Sequence, residues 1–439
     1  MARISENWRK EGNQLYTSAT QSGLSPVLRK ERLNNAIMKY NKALQTAETR
    51  NDRSSAYKNI GMASWRLAQV IQLQNEGPKL VEFHLIEALK HLSNALEEAG
   101  SSRGIDWSTQ SNQYLHECLQ GVIDDTAEMG LCRERVDTLR RFLGVISRDL
   151  PVRVAGLLEM TTVTFHLGVT ALENGDITEC LNYMAECYQP IEETKRVADD
   201  EIMKEVDVLE KDVFMQKCVA ESIKARKTAD DLLENILMEQ EELSYDMIWE
   251  VIDWYKQAIL LSREHEVEME AIALSRLGSV YDKVLKIKLM AKKYFNRCMS
   301  LVMALHPKSF HSEDWYVECT SALQRYQKEQ VEREEDVWQK KREKYLEKLS
   351  EDLKKLKESA NGLPESYLRF IYKTFPPKGE NKKLDEEALD SGEHDSIKKV
   401  LLKAIQHYHP DRQKEHGEQW VVLCEEITKY LTAKYETFK

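Results

Sequence analysis

The chain has 439 residues, 63 of them Lys or Arg and 74 Asp or Glu, for a net charge of -11. That balance argues against a dominant nucleic-acid or anionic-membrane surface, which needs clustered positive charge, and the length leaves room for two or three domains. Only 17 Gly and 9 Pro punctuate the chain and charged residues make up 31% of it, so an all-α protein is expected.

The N-terminal stretch MARISENWRKEGN has no apolar h-region, so no signal peptide is expected. No uninterrupted apolar run approaches the ~20 residues that span a bilayer, and no membrane span is expected. The eight cysteines (Cys118, Cys132, Cys180, Cys187, Cys218, Cys298, Cys319, Cys424) are scattered without a C-x-x-C pair. In a leaderless chain they read as reduced thiols used as small buried residues. The expected compartment is the cytoplasm or the nucleus.

Along the chain one spacing recurs: a small residue, three others, a large apolar one, two others, then a small one. It is met at Ala36-Tyr40-Ala43, Ala88-Leu92-Ala95, Cys180-Met184-Cys187, Val251-Tyr255-Ala258 and Ala291-Phe295-Cys298. Offsets of four and three place each triple on one helix face. Four of these helices follow a partner with its own glycine: Trp8 and Gly12, Tyr57 and Gly61, Leu167-Gly168, and Leu277-Gly278 with Tyr281. Glycine inside a helix costs ~1 kcal/mol against Ala, so a close helix crossing is the expected reason. From Ile191 to Leu277 there is neither Gly nor Pro, which predicts long helices there.

The pattern resembles the tetratricopeptide (TPR) repeat, W-x2-LG-x2-Y on a first helix and A-x3-F-x2-A on a second. The best match is SRLGSVYDKV through MAKKYFNRCMSLVMALHP (275–307), and the first hairpin carries a long insertion, TSATQSGLSPVLRKE (17–31). The resemblance implies a solenoid over residues 1–320 whose concave face binds a protein or peptide. A generic helical bundle is the other arrangement the spacing allows. One TPR subclass holds C-terminal carboxylates of heat-shock chaperones with a clamp of cations and Asn. Arg9, Asn13 and Asn59 match its first two helices, while Thr109 and Gln113 stand where two further cations belong. Solvated surface residues are the competing reading of these three.

Residues 321–360 form a densely charged helix with a narrow apolar stripe: Val331, Trp338 and Tyr345, then Leu346, Leu349, Leu353 and Leu356. The expected role is a rigid capping or linker helix, broken by NGLP (361–364). Three helices should follow, over 365–375, 396–408 and 417–438. The second has an inner face of Ile397, Val400, Leu401, Ala404, Ile405 and Tyr408, and an outer face bearing Lys398, Lys399 and Lys403. The third carries Trp420, Cys424, Ile427 and Leu431 on one stripe. Between these two lies His409-Pro410-Asp411.

This arrangement resembles the J domain of DnaJ-type co-chaperones, and most of all the auxilin type, which also sits at a C-terminus. The resemblance implies that residues 361–439 form a J domain that switches on a DnaK-class heat-shock chaperone. Its contacts would be His409, Pro410 and Asp411, the basic residues Lys398 and Lys403, and Arg412, matching the cation that follows the motif. An ordinary helix stop is the structural alternative. No Gly/Phe-rich segment or zinc-binding cysteine set accompanies the motif.

His407, His409 and Cys424 lack a fourth ligand at suitable spacing, so no metal is expected. No P-loop, Rossmann fingerprint, nucleophile elbow or H-E-x-x-H occurs, and neither an enzyme activity nor a cofactor is expected. The sequence therefore points to a co-chaperone adaptor whose solenoid binds a protein and whose C-terminal module recruits and stimulates a chaperone. The alternative is a scaffold whose J-like module is structural or docks without stimulating the ATPase.

Overall fold

The structure, a computed structural model, describes residues 2–74, 77–239, 244–263, 265–379 and 382–437. Among the described residues the elements are helices, with no strand. The chain divides into two compact units, Met1–Cys319 and Thr320–Lys439.

The first unit contains α1 (Ala2–Ala19), α2 (Pro26–Gln45), α3 (Arg50–Leu73), α4 (Pro78–Ala99), α5 (Ile105–Ala127) and α6 (Arg133–Leu143). It continues through α7 (Arg153–Glu173), α8 (Ile177–Lys195), α9 (Asp200–Glu239), α10 (Tyr245–Ser262), α11 (Val267–Ser279) and α12 (Lys288–Ala304) to the start of α13 (Asp314–Lys348). From α1 to α12, each helix packs chiefly on those before and after it. That nearest-neighbour pattern is how a repeat array buries its core.

All five small-large-small triples lie in the core, none of their residues more than 2% exposed. The large residue of four triples sits over the partner helix's glycine. A Cβ at Gly61 would lie 2.7 Å from Leu92 Cγ, and one at Gly278 2.6 Å from Phe295 Cε1; Gly12 meets the Tyr40 ring and Gly168 the end of Met184 in the same way. At Gly12, Gly61 and Gly278 a side chain would displace a packed ring or branched carbon, whereas at Gly168 the flexible end of Met184 can yield. The pair α9–α10 crosses differently, through a hydroxyl: Ser222 Oγ donates to the Ala258 carbonyl at 2.8 Å.

Sequence reading placed a long insertion at 17–31, but the structure lengthens the two helices instead. Only residues 20–25 connect α1 to α2, and Pro26 opens α2 behind the Ser25 cap, whose hydroxyl accepts from Leu28 N at 3.4 Å. Proline loses nothing at a helix start, where its missing N–H would be unpaired anyway. The cysteines are all free thiols, seven buried and Cys132 half-buried. By length and composition α7 is apolar enough to cross a membrane, with a stretch of mean hydropathy 1.2, half of it buried inside the protein. A search for unbroken apolar runs misses this helix because threonines and glycine interrupt it.

The second unit holds the rest of α13, then α14 (Ser350–Ala360), α15 (Pro364–Thr374), the short α16 (Glu386–Asp390), α17 (His394–Tyr408) and α18 (Glu418–Glu436). The helix expected over 417–438 ends at Glu436, and its last residue lies outside the described ones. A 3-10 stretch, Pro410–His416, joins α17 to α18. The expected division at residue 361 falls inside a single core. Leu349 and Leu356 are buried with Tyr367, Ile371, Tyr408 and Ile427, and Trp338, Tyr345, Leu346 and Leu353 pack against that core. The charged helix thus gives its apolar stripe to the C-terminal module, whereas Val331, one heptad earlier, is exposed. Arg342 fastens it further, with Nε 3.1 Å from Glu425 and Nη2 2.6 Å from Glu426.

Candidate functional site

The turn at the end of α17 follows from one residue. Pro410 excludes the helical region for the residue before it, and His409 accordingly takes φ -57°, ψ 126°. Proline also brings no N–H, so the last carbonyls of α17 need other donors. Side chains supply them: Gln413 Nε2 donates to the His407 carbonyl at 2.8 Å, and Thr428 Oγ1 to the Tyr408 carbonyl at 3.1 Å.

Gln413 is fully buried. Its amide nitrogen also reaches the Lys378 carbonyl at 3.4 Å, and its oxygen accepts from Trp420 Nε1 at 2.8 Å. One side chain therefore ties the 3-10 stretch to α17, to α18 and to the segment after α15. Below it, Tyr408 OH donates to the Phe375 carbonyl at 2.7 Å, with the Ile371 carbonyl at 3.2 Å. The Phe375 carbonyl lies just past the end of α15, where no helical N–H reaches it, while the Ile371 carbonyl also accepts from Phe375 N at 2.8 Å. Gly417, at φ 98°, allows the chain to leave the 3-10 stretch and enter α18, a conformation costly for any other residue.

On this frame His409 and Asp411 stand in solvent, with side chains 49% and 69% exposed. Asp411 N donates to His409 Nδ1 at 3.3 Å, which puts the neutral ring's proton on Nε2. Lys414 Nζ lies 2.8 Å from Asp411 Oδ1. That hydrogen bond and charge hold the carboxyl below its ordinary range, with His409 adding to the effect. His409, Pro410 and Asp411 border a shallow groove whose other wall comes from α18, including Glu425, Thr428 and Lys429.

The expected cations separate into two groups. Lys403 and Arg412 both act on His407, as does Lys382; burial first, then these three charges, lower the His407 pKa below its ordinary value. Tyr372 OH meets His407 Nδ1 at 2.6 Å. Lys398 lies elsewhere, partly buried, its ammonium 5.9 Å above the Tyr435 ring. Five residues on, Lys403 is turned about 140° around the helix, so the two share no single face. Lys378 stands 4.8 Å over the Trp420 ring.

In the first unit the structure brings Asn13 and Asn59 together: Asn13 Oδ1 accepts from Asn59 Nδ2 at 3.1 Å and from Tyr40 OH at 2.8 Å. Arg9 is already paired with Asp52 at 2.8 Å. At the place of the missing cations, Gln113 bonds Glu117 at 2.9 Å. Lys58 of α3 lies beside this stretch of α5, its Nζ 3.3 Å from Gln110. Lys58 lies 5.3 Å over the Trp107 ring and 5.8 Å over that of Tyr114; burial, then Arg103, lowers its pKa.

Sequence reasoning missed Gln413, Lys378, Lys382 and Lys58. Gln413 sits in the polar run DRQKEHGE, with no apolar periodicity to mark it as buried. Lys58 adjoins Asn59, but only the packing of α5 on α3 gives it aromatic neighbours.

No protein-family model matches this chain, and no curated protein does. A solved structure described as "Circular tandem repeat protein with novel repeat topology and enhanced subunit contact surfaces" aligns over 99% of this chain and 90% of that one, at 12% identity and a TM-score of 0.20. A likeness that slight carries no argument about fold or function.

Proposed function

We propose that this protein is a co-chaperone adaptor: a TPR-like array in the first unit binds a protein partner, and a J domain in the second recruits and stimulates a DnaK-class chaperone. The observation that carries the reading is the contrast between His409-Pro410-Asp411 and its support. The side chains are offered to solvent, while the backbone beneath them is fastened by a buried glutamine. Such preorganisation lowers the entropy lost on binding. An exposed carboxylate suits a partner arginine, and Lys403, Arg412 and Lys382 would steer the module toward an acidic surface. The chaperone contacts are His409, Pro410, Asp411, Lys403 and Arg412, with Lys398 at the margin. The Asn13–Asn59 pair and Lys58 mark the partner-binding side of the array.

The Lys414–Asp411 pair favours a second reading, a scaffold module whose loop is self-satisfied and stimulates nothing. Both side chains are about 70% exposed, so water screens the pair and a partner can displace it at little cost. Single-turnover ATP hydrolysis by a DnaK-class chaperone separates the two readings. Asp411→Asn and His409→Gln should abolish the stimulation given by wild type, with circular dichroism unchanged. Stimulation should also fall with added salt. A wild-type protein that binds the chaperone without accelerating hydrolysis establishes the scaffold.

A further inference from the structure

We propose that a cleft between α6, α7 and α8 binds a small organic phosphate monoester. Four guanidiniums border this cavity of about 630 Å³: Arg133 and Arg140 from α6, Arg148 from the connection after it, and Arg153 at the head of α7. Its volume falls within the roughly 300–1,000 Å³ typical of small-molecule sites. The proposal is independent of any role of the C-terminal module.

The charges in the cleft are incompletely matched. Arg133 and Arg140 share Glu186, at 2.9 and 3.1 Å, and also Asp137, at 3.5 and 3.1 Å. Arg153 pairs with Glu193 at 2.8 Å. Arg148 has no carboxylate partner among the described residues. Four cations thus face three carboxylates, and the positive end of the α7 dipole adds to the excess because Arg153 opens that helix.

The second observation is a buried donor left unused. The Arg153 side chain is only 6% exposed, yet its Nε has no hydrogen-bond partner among the described residues. That nitrogen is enclosed by protein, but of the guanidinium only Nη2 is bonded among the described residues and the residue borders the cavity, so a ligand oxygen in the cleft meets a cation with donors to spare. Guanidiniums arriving from two helices and a loop suit a tetrahedral anion, whose oxygens accept from several directions, better than a planar carboxylate. The remaining wall is apolar, with Leu143, Leu157, Met160 and Pro190. An organic body attached to the phosphate would lie there.

Calorimetric titration of the full chain at constant ionic strength tests this, with phenyl phosphate and inorganic phosphate as probes. Phenyl phosphate should bind saturably at one site and more tightly than inorganic phosphate. Arg148 is exposed, so Arg148→Gln should fold normally; it should weaken binding about ten-fold, the loss of one charge-assisted contact. Arg50→Gln, an exposed arginine outside the cleft, should leave binding unchanged. No saturable binding, unchanged affinity in Arg148→Gln, or an equal loss in Arg50→Gln would each overturn the site. Equal affinity for the two probes would overturn the organic part of the ligand.

Discussion

Replacing Gln413 with leucine should loosen the loop that presents His409 and Asp411 without touching either residue. The substitution keeps the volume of a fully buried side chain but removes its bonds to the His407 carbonyl and Trp420 Nε1, both at 2.8 Å. Each buried partner left unsatisfied costs about 1–3 kcal/mol. Trp420 is only partly buried, so its N–H can regain water and its share lies at the low end. The expected local destabilisation is about 2–4 kcal/mol, or about 30- to 1,000-fold faster amide exchange where local opening controls exchange. Hydrogen exchange read by mass spectrometry on the full chain should show this in peptides from the end of α17 through the start of α18. Peptides from α1–α8 should be unaffected. Chaperone stimulation should fall as well, through loss of preorganisation. Unchanged protection across residues 405–425 would refute the idea that Gln413 braces the turn.

The glycine crossings predict an order of costs: Gly278→Ala meets the buried, rigid Phe295 ring and should lose about 1–3 kcal/mol in urea melts. Gly168→Ala meets the flexible end of Met184 and should lose less. A Gly278→Ala protein more stable than wild type, as helix propensity alone expects, would refute close packing. Because Leu349 and Leu356 belong to the C-terminal core, a fragment of residues 320–439 should melt at higher urea than one of 361–439. Each buried leucine is worth roughly 1.5–3 kcal/mol, so equal midpoints would contradict the shared core. The folded-state pKa of His407 lies below its ordinary 6.5, so the unfolded chain takes up the proton first. Stability of the C-terminal unit should therefore fall as pH drops below about 6.5 and level off beneath the folded value. His407→Gln should flatten that limb, and an unchanged acid profile would contradict it.

Helical class, the five small-large-small faces and their glycine partners were legible in the sequence because they are local. A helix repeats every 3.6 residues, so spacing alone tells which side chains share a face, and a glycine in mid-helix announces a close neighbour without naming it. The His409-Pro410-Asp411 turn was legible for the same reason, since proline dictates the backbone around itself. Tertiary structure alone decided which chain segments share a core. The stripe from Trp338 to Leu356 has the same periodicity whether it caps the first unit or fills the second, and packing on α15 and α18 settled it. It also decided the fate of polar residues, which carry no pattern. Gln413 is buried only because α17, α18 and the segment after α15 converge there, each with an unpaired polar group to satisfy. The divergence of Lys398 and Lys403 follows from helix periodicity alone, five residues being about 140°, but only packing set Lys398 over the Tyr435 ring. The arginines of the α6–α8 cleft lie up to twenty residues apart in sequence, and only the stacking of three helices brings their charges into one cavity.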